Sequence, residues 1–204
     1  MAGRNEEVES VEGSPGLHEI IYLSVIELRI PIKPHSSMKL DLRREFADLY
    51  AYLTDRVRNF DPATNDGPGD PGLVRMIEIG FEYSQFAWVV VVFDTRPDAK
   101  PDGEWTFHIE TNMLERADWL AAGKANMNGP ITLVQLDGTE TVLPESGELA
   151  VPLGKMIKAV LIKAREDGVF AALPKASRCE FGIEHQEGAY GWPMYAARGM
   201  ENLV

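Results

Sequence analysis

Apolar residues recur along the chain with two different periods, and each period predicts its own kind of element. Between residues 37 and 59 they are spaced three and four apart, which places them on one face of an amphipathic helix. The same spacing over residues 153–164 predicts a second helix, and Gly168 follows it where a C-terminal cap commonly stands. An asparagine and a glutamate three residues apart resemble a capping box and predict a third helix, from residue 112 to about residue 122.

Other segments have the two-residue period that is typical of strands. Residues 77–83 alternate between apolar residues and polar residues or glycine, so we expect a strand with one buried face and one polar outer face. Residues 89–93 are apolar on both faces, which predicts a strand in the middle of the sheet, joined to the first by a tight hairpin around Ser84 and Gln85. Further strands are predicted over residues 105–109, 131–136, 141–143 and 178–185. Short strands joined by loops favour antiparallel pairing.

The order of these elements predicts an α+β fold, with a mainly antiparallel sheet and two or three helices packed on it. Residues 1–16 are polar and acidic and end in turn-forming residues, so we expect a disordered acidic tail followed by a single domain over residues 17–204. Residues 17–30 fit either a strand or one face of a helix, and their β-branched content favours the strand. Residues 61–72 are rich in glycine and proline and predict a loop.

The formal net charge of −12 belongs mainly to the region that is predicted to fold, because the acidic tail contributes only part of it. A field of this sign repels nucleic acids and anionic lipids, so we predict no nucleic acid and no membrane as partner, but a basic protein. Solubility alone is an alternative reason for the charge. No apolar run reaches the ~20 residues that cross a bilayer, and glutamates stand where a signal peptide would have its apolar segment. With one cysteine, Cys179, we predict a cytoplasmic location.

Sequence motifs for phosphate loops, dinucleotide binding, zinc proteases and serine hydrolases are absent, so no cofactor is predicted. The candidate chemistry lies instead on one polar face of the predicted sheet. If the strands are neighbours, this face would gather Glu78, Glu82, His108, Glu110, Glu180 and Glu184. Crowded carboxylates beside a histidine can provide a general base or bind a divalent metal. The alternative is a solvated outer face without chemistry.

Two other histidine and cysteine positions carry weaker indications of function. His185 shares the parity of Phe181 and Ile183, which predicts a histidine in the core. Cys179 follows Arg178, and a neighbouring cation would lower the pKa of its thiol, although no catalytic partner can be assigned.

Near its C-terminus the chain is rich in aromatic residues between glycines and prolines. Tyr190, Trp192 and Tyr195 belong to this segment, which suits either a binding surface or a segment that packs back over the core.

These observations favour a non-enzymatic intracellular binding protein whose acidic surface recognises a basic protein. Small acidic proteins that neutralise a toxin, such as bacterial immunity proteins, share this general character, although the sequence matches no family motif. One alternative is a small enzyme, with or without a bound metal, that uses the Glu and His residues of the polar face. Another is self-association through residues 61–72 and the aromatic segment. The candidate binding residues are Glu78, Glu82, His108, Glu110, Glu184, Tyr190, Trp192 and Tyr195.

Overall fold

The computed structural model of the chain describes residues 38–61, 72–95, 113–187, 191–192 and 201–202. Several predictions therefore lie outside the described residues: the acidic tail, the element at residues 17–30, nearly all of the 61–72 loop, the strand at 105–109 and most of the aromatic segment. The prediction of a single domain from residue 17 onward extends over these parts and stays a prediction.

The described elements are short runs of strands separated by helices. In chain order they are β1 (Lys39–Asp41), α1 (Leu42–Arg58), β2 (Val74–Glu82), β3 (Trp88–Asp94), β4 (Leu114–Glu115), α2 (Ala117–Asn126), β5 (Ile131–Val134), β6 (Glu140–Leu143), α3 (Ala150–Glu166), a 3-10 helix (Val169–Ala172), β7 (Lys175–His185), β8 (Gly191–Trp192) and β9 (Glu201–Asn202). Within this part of the chain, three helices accompany two sheets whose strands pair mostly antiparallel. The predicted α+β fold is confirmed.

The larger sheet has the strand order β4-β3-β2-β7-β8, and β9 also pairs with β7. β2 and β3 form the predicted hairpin, but residues 83–87 connect them in a longer turn than the tight one expected around Ser84 and Gln85. All residues of β3 are buried. β2 pairs with β7 in parallel, so that Ile77 lies opposite Phe181. The central strand pair is therefore parallel although most other pairs are antiparallel.

The smaller sheet has the order β1-β5-β6, with β1 parallel and β6 antiparallel to β5. Its β5–β6 hairpin is the one predicted from the sequence, although β5 ends at Val134, before the predicted residue 136. Gly138 in the turn has φ of 87°, a left-handed conformation that glycine adopts without strain. The buried faces of both sheets and of the three helices share one apolar core.

Helix α1 begins later than the periodicity predicts. Residues 39–41 pair with β5 as a strand, and the side chain of Asp41 caps the helix by accepting a hydrogen bond from the Arg43 backbone N–H at 3.0 Å. The prediction of a helix from residue 37 is thus wrong at its start, because pairing with a distant strand holds residues 39–41 extended.

The third predicted helix also differs in its bounds. Glu115, expected in the first turn as part of a capping box, lies in β4 opposite Trp88. Helix α2 begins at Ala117 and continues to Asn126. A strand pairing has again taken residues whose local pattern indicates a helix start, and Asn112 lies outside the described residues.

The second face of β2 is not the polar outer face that alternation predicts. Glu78 and Glu82 are only 3% and 2% exposed. In the antiparallel register they lie opposite Val92 and Trp88, which form a second buried apolar cluster with Val90. Paired residues point to the same side of a sheet, so these carboxylates share a buried face with apolar side chains.

Candidate functional site

The structure brings together some residues of the predicted polar face and leaves the others undescribed. β2 and β7 are neighbours, as the hypothesis required, and Glu78 and Glu184 lie on one face of the sheet, opposite Gly182 and Gly80 respectively. His108, Glu110, Tyr190 and Tyr195 lie outside the described residues. Trp192 is described only by its backbone, which pairs with Ile183. A cluster of carboxylates and His108 therefore stays a prediction.

Glu82 has a structural task at the end of β2. One of its carboxylate oxygens accepts hydrogen bonds from the backbone N–H groups of Tyr83, at 2.7 Å, and Ser84, at 2.5 Å. The other oxygen lies 3.5 Å from Nε2 of His185. The carboxylate thus fixes the turn that leads from β2 toward β3.

His185 lies in the core, as its parity predicts, and is 1% exposed. Its ring stacks on Tyr83 and is tilted against Phe81, with both ring centroids 5.1 Å away. Burial lowers the pKa of His185 because it penalises the charged imidazolium, while Glu82 and Glu187 act in the opposite direction. Neither ring nitrogen forms a hydrogen bond with the described part of the chain. A buried, neutral histidine of this kind packs as an aromatic side chain.

The environment of Cys179 is opposite to the one expected. Its thiol is buried, and burial raises its pKa to about 11 while Lys175 acts against the shift. The guanidinium of Arg178 forms an ion pair with Glu180. The expectation of a lowered thiol pKa was wrong, because the neighbouring cation lies on the other face of the strand.

Among the described residues, no group of three or more histidine, cysteine, aspartate or glutamate side chains is arranged to hold a metal ion. None of the described helices combines the length and the apolar character of a segment that crosses a membrane.

A buried polar cluster that the sequence analysis missed links α1 to α2. The carboxylate of Glu45 accepts hydrogen bonds from Nε of Arg116, at 2.9 Å, and Nε1 of Trp119, at 2.6 Å, and also pairs with Nη2 of Arg116. A signal was present, since Glu45 stands three residues after Leu42 and four before Leu49 on the apolar face of the helix. The cluster is closed and fully paired, which is typical of a structural contact.

The outer edge of β6 is exposed and is not paired with any described strand. Thr132 of β5 directs its N–H to β1, and Gln135 pairs with Thr139 at the hairpin turn, so the alternating ladder turns the backbone groups of Glu140 and Val142 outward. Both residues are exposed, and Val142 is 69% exposed. No described strand lies beyond β6.

A groove runs between this edge and the first turns of α3, with a volume of about 280 Å³; it is called the hairpin groove below. Leu143 and Thr141 line it from the strand, and Pro152 and Met156 from the helix. The other lining residues are Leu42, Leu133, Gln135, Leu136, Val142, Val151 and Lys155. The groove is mainly apolar and opens beside the unpaired edge of β6.

Charged residues occur on the helix that lines the hairpin groove and in the segment that joins β6 to this helix. Glu145 and Glu148 follow β6 and precede α3, and Lys155 lies one and a half turns into the helix, near Gln135. All three are exposed, and their side chains form no hydrogen bond or ion pair with the described part of the chain. By contrast, Glu140 is bound to Lys39 at 2.5 Å. The three unpaired charges are therefore available to a ligand.

A second apolar groove of about 250 Å³ lies at the β2–β3 turn, beside Phe86, which is 73% exposed. Trp88, Met113 and Leu120 line it. Among the described residues that line this second groove, Glu115 is the one with a charged side chain.

Comparisons with protein-family models, with curated proteins and with solved structures give no match to this chain. The assignment of a function therefore depends on the geometry of the described residues.

Proposed function

We propose that this protein is a non-enzymatic binding protein that recognises a basic protein partner. The observation that carries the proposal is the composition of the hairpin surface, defined as residues 136–148. Its exposed Leu136 and Val142 lie in the same short segment as four exposed carboxylates, those of Asp137, Glu140, Glu145 and Glu148.

An exposed apolar centre with a charged surround is the usual anatomy of a protein-binding surface. Removing Val142 from water on binding would supply affinity, and the carboxylates would raise the association rate with a basic protein. Glu145 and Glu148 are the most useful of them, because Glu140 is paired with Lys39 and Asp137 is bound by Thr139. The net charge of −12 extends the same attraction over a longer range.

The alternative of a small enzyme has less support among the described residues. Cys179 and His185 are both buried, and burial acts against the reactive form of the thiol and against protonation of the imidazole. The enzyme alternative depends on His108 and Glu110, which are not described.

We also propose the cytoplasm as the compartment of the protein, since its one cysteine is a free, buried thiol.

The first test is affinity capture from a lysate of the source cell at low and at high salt, followed by association rates with each retained protein. The test variant is Glu145→Lys with Glu148→Lys. The matched control, Glu115→Lys with Glu166→Lys, makes the same change in net charge at exposed positions elsewhere.

We expect a basic protein that is retained at low salt and released at high salt, and whose association slows for the test variant by about tenfold or more. The control should slow it far less. Equal effects of the two variants would show that the association rate depends on net charge and not on the hairpin surface, which would contradict the assignment of the binding surface. An unchanged rate for both would overturn the proposal.

A further inference from the structure

We infer that the partner contributes an extended segment, which pairs antiparallel with β6 and inserts an apolar side chain into the hairpin groove. This inference rests on the proposed function and deepens it, since it names the part of the partner that is recognised and the way it binds.

The first reason is the backbone of β6. The N–H and C=O groups of Glu140 and Val142 point away from β5 at an exposed edge, where they form the template for one more strand. Addition of a strand to such an edge is a general mode of peptide recognition, in which backbone hydrogen bonds supply affinity. Antiparallel addition has the better hydrogen-bond geometry.

The second reason is the size and position of the hairpin groove. Its volume of about 280 Å³ lies near the lower end of the roughly 300–1,000 Å³ that holds a drug-sized ligand, so it suits one or two side chains. Thr141, Val142 and Leu143 all line the groove, but alternation along the strand directs the side chain of Val142 to the face opposite that of Thr141 and Leu143. Alternate side chains of an added strand would therefore enter the groove, and those between them would lie beside Val142.

The third reason is the charge on the segment that follows β6 and on the helix that lines the groove. β6 runs toward Glu145 and Glu148, so an antiparallel segment would have its amino-terminal part at these carboxylates. Its carboxyl-terminal part would then lie toward the β5–β6 turn, and Lys155, which lines the groove, is the cation that we assign to it. The segment that fits best carries Lys or Arg toward its amino end, alternating apolar residues in the middle, and a carboxylate at its carboxyl end.

The probe for this inference is a fluorescein-labelled octapeptide of that pattern, with alternating valines, two amino-terminal lysines and a free carboxyl group. Its binding to the full chain is measured by fluorescence anisotropy. Two further peptides carry N-methyl groups on alternate amides. In the first peptide these are the amides that would face β6, and in the second they are the amides between them. Methylation removes a donor without changing the side chains.

We expect the first methylated peptide to lose affinity by about tenfold or more, and the second to bind like the parent peptide. Val142→Pro should weaken binding similarly, because it removes an outward N–H that β5 does not use. Phe86→Ala, which changes the other apolar groove, should leave binding unchanged. Equal effects of the two methylated peptides, or full binding to the Val142→Pro variant, would overturn strand addition.

The direction of the segment is tested with a peptide of reversed charge order, with two amino-terminal glutamates and a carboxyl-terminal lysine amide. Equal affinity for both peptides would overturn the charge argument. Dimerisation of the full chain that is abolished by Val142→Pro would show a second copy on the edge and would also overturn the inference. If no peptide binds while a basic protein is still captured through Glu145 and Glu148, the inference fails and the proposed function stands.

Discussion

The carboxylate of Glu45 on α1 and the indole N–H of Trp119 on α2 are joined by a buried hydrogen bond of 2.6 Å. Arg116 completes the cluster, and its guanidinium also reaches the exposed Asp48 at 3.1 Å. One cation therefore has a buried and an exposed carboxylate as partners, which allows their contributions to be compared directly.

Replacement of Glu45 by alanine should destabilise the protein by about 3–5 kcal/mol, because it leaves Arg116 and the Trp119 N–H buried without their acceptor. Asp48→Ala, which removes the exposed partner of the same arginine, should cost at most about 1 kcal/mol. Urea denaturation followed by tryptophan fluorescence measures both. Similar losses for the two variants would contradict a structural role for the buried pair.

The pH dependence of stability should contain a contribution from His185. Its pKa is lowered in the folded protein from the model-peptide value of 6.5, so below pH 6.5 the unfolded chain binds more protons and stability falls as the pH falls. His185→Phe keeps an aromatic ring and removes this titration. The free energy of unfolding of the variant should decrease less between pH 7.5 and pH 5 than that of the wild type. An equal decrease in both proteins would show that His185 does not contribute to the pH dependence of stability.

Cys179 should be unreactive in the native protein. Its thiol is buried and its pKa is raised to about 11, so very little thiolate is present at pH 8. Labelling with iodoacetamide should be slow under native conditions and rapid in 8 M urea, as followed by mass spectrometry. Rapid native labelling would place Cys179 among the candidate nucleophiles again.

A methyl group at Gly123 should destabilise α2 despite the better helix propensity of alanine. A Cβ atom there would lie 3.1 Å from both the ring and the carbonyl oxygen of Tyr83. Gly123→Ala should therefore cost about 1–3 kcal/mol. Gly129→Ala is the control, since nothing lies within 4 Å of its added Cβ. Thermal unfolding measures both, and a stabilised Gly123→Ala variant would show that Tyr83 can move aside.

The elements that a short stretch of sequence determines were predicted well. The three- and four-residue spacing of apolar residues predicted the helix α3, and the turn residues predicted the β5–β6 hairpin; both predictions are confirmed. Gly168, predicted to end α3, has φ of 71° and follows its last turn.

The remaining differences arise from pairings between distant segments. Glu115 belongs to β4 because Trp88 lies opposite it, and the local capping pattern contains no information about Trp88. Glu78 is buried because β3 supplies apolar neighbours on its face. The same limit applies to the candidate site. The hairpin groove combines β6 with α3, and its charges become informative only when that packing is known.

The parallel pairing of β2 with β7 has a consequence for the order of folding. Ile77 and Phe181 stand opposite each other at the centre of the larger sheet, yet they belong to the first and second halves of the chain. Closing a connection of this length is slow compared with forming the β2–β3 hairpin. On the ribosome, β2 must therefore wait for β7 with one edge unpaired, and the central pair forms only after residues 175–185 have been synthesised.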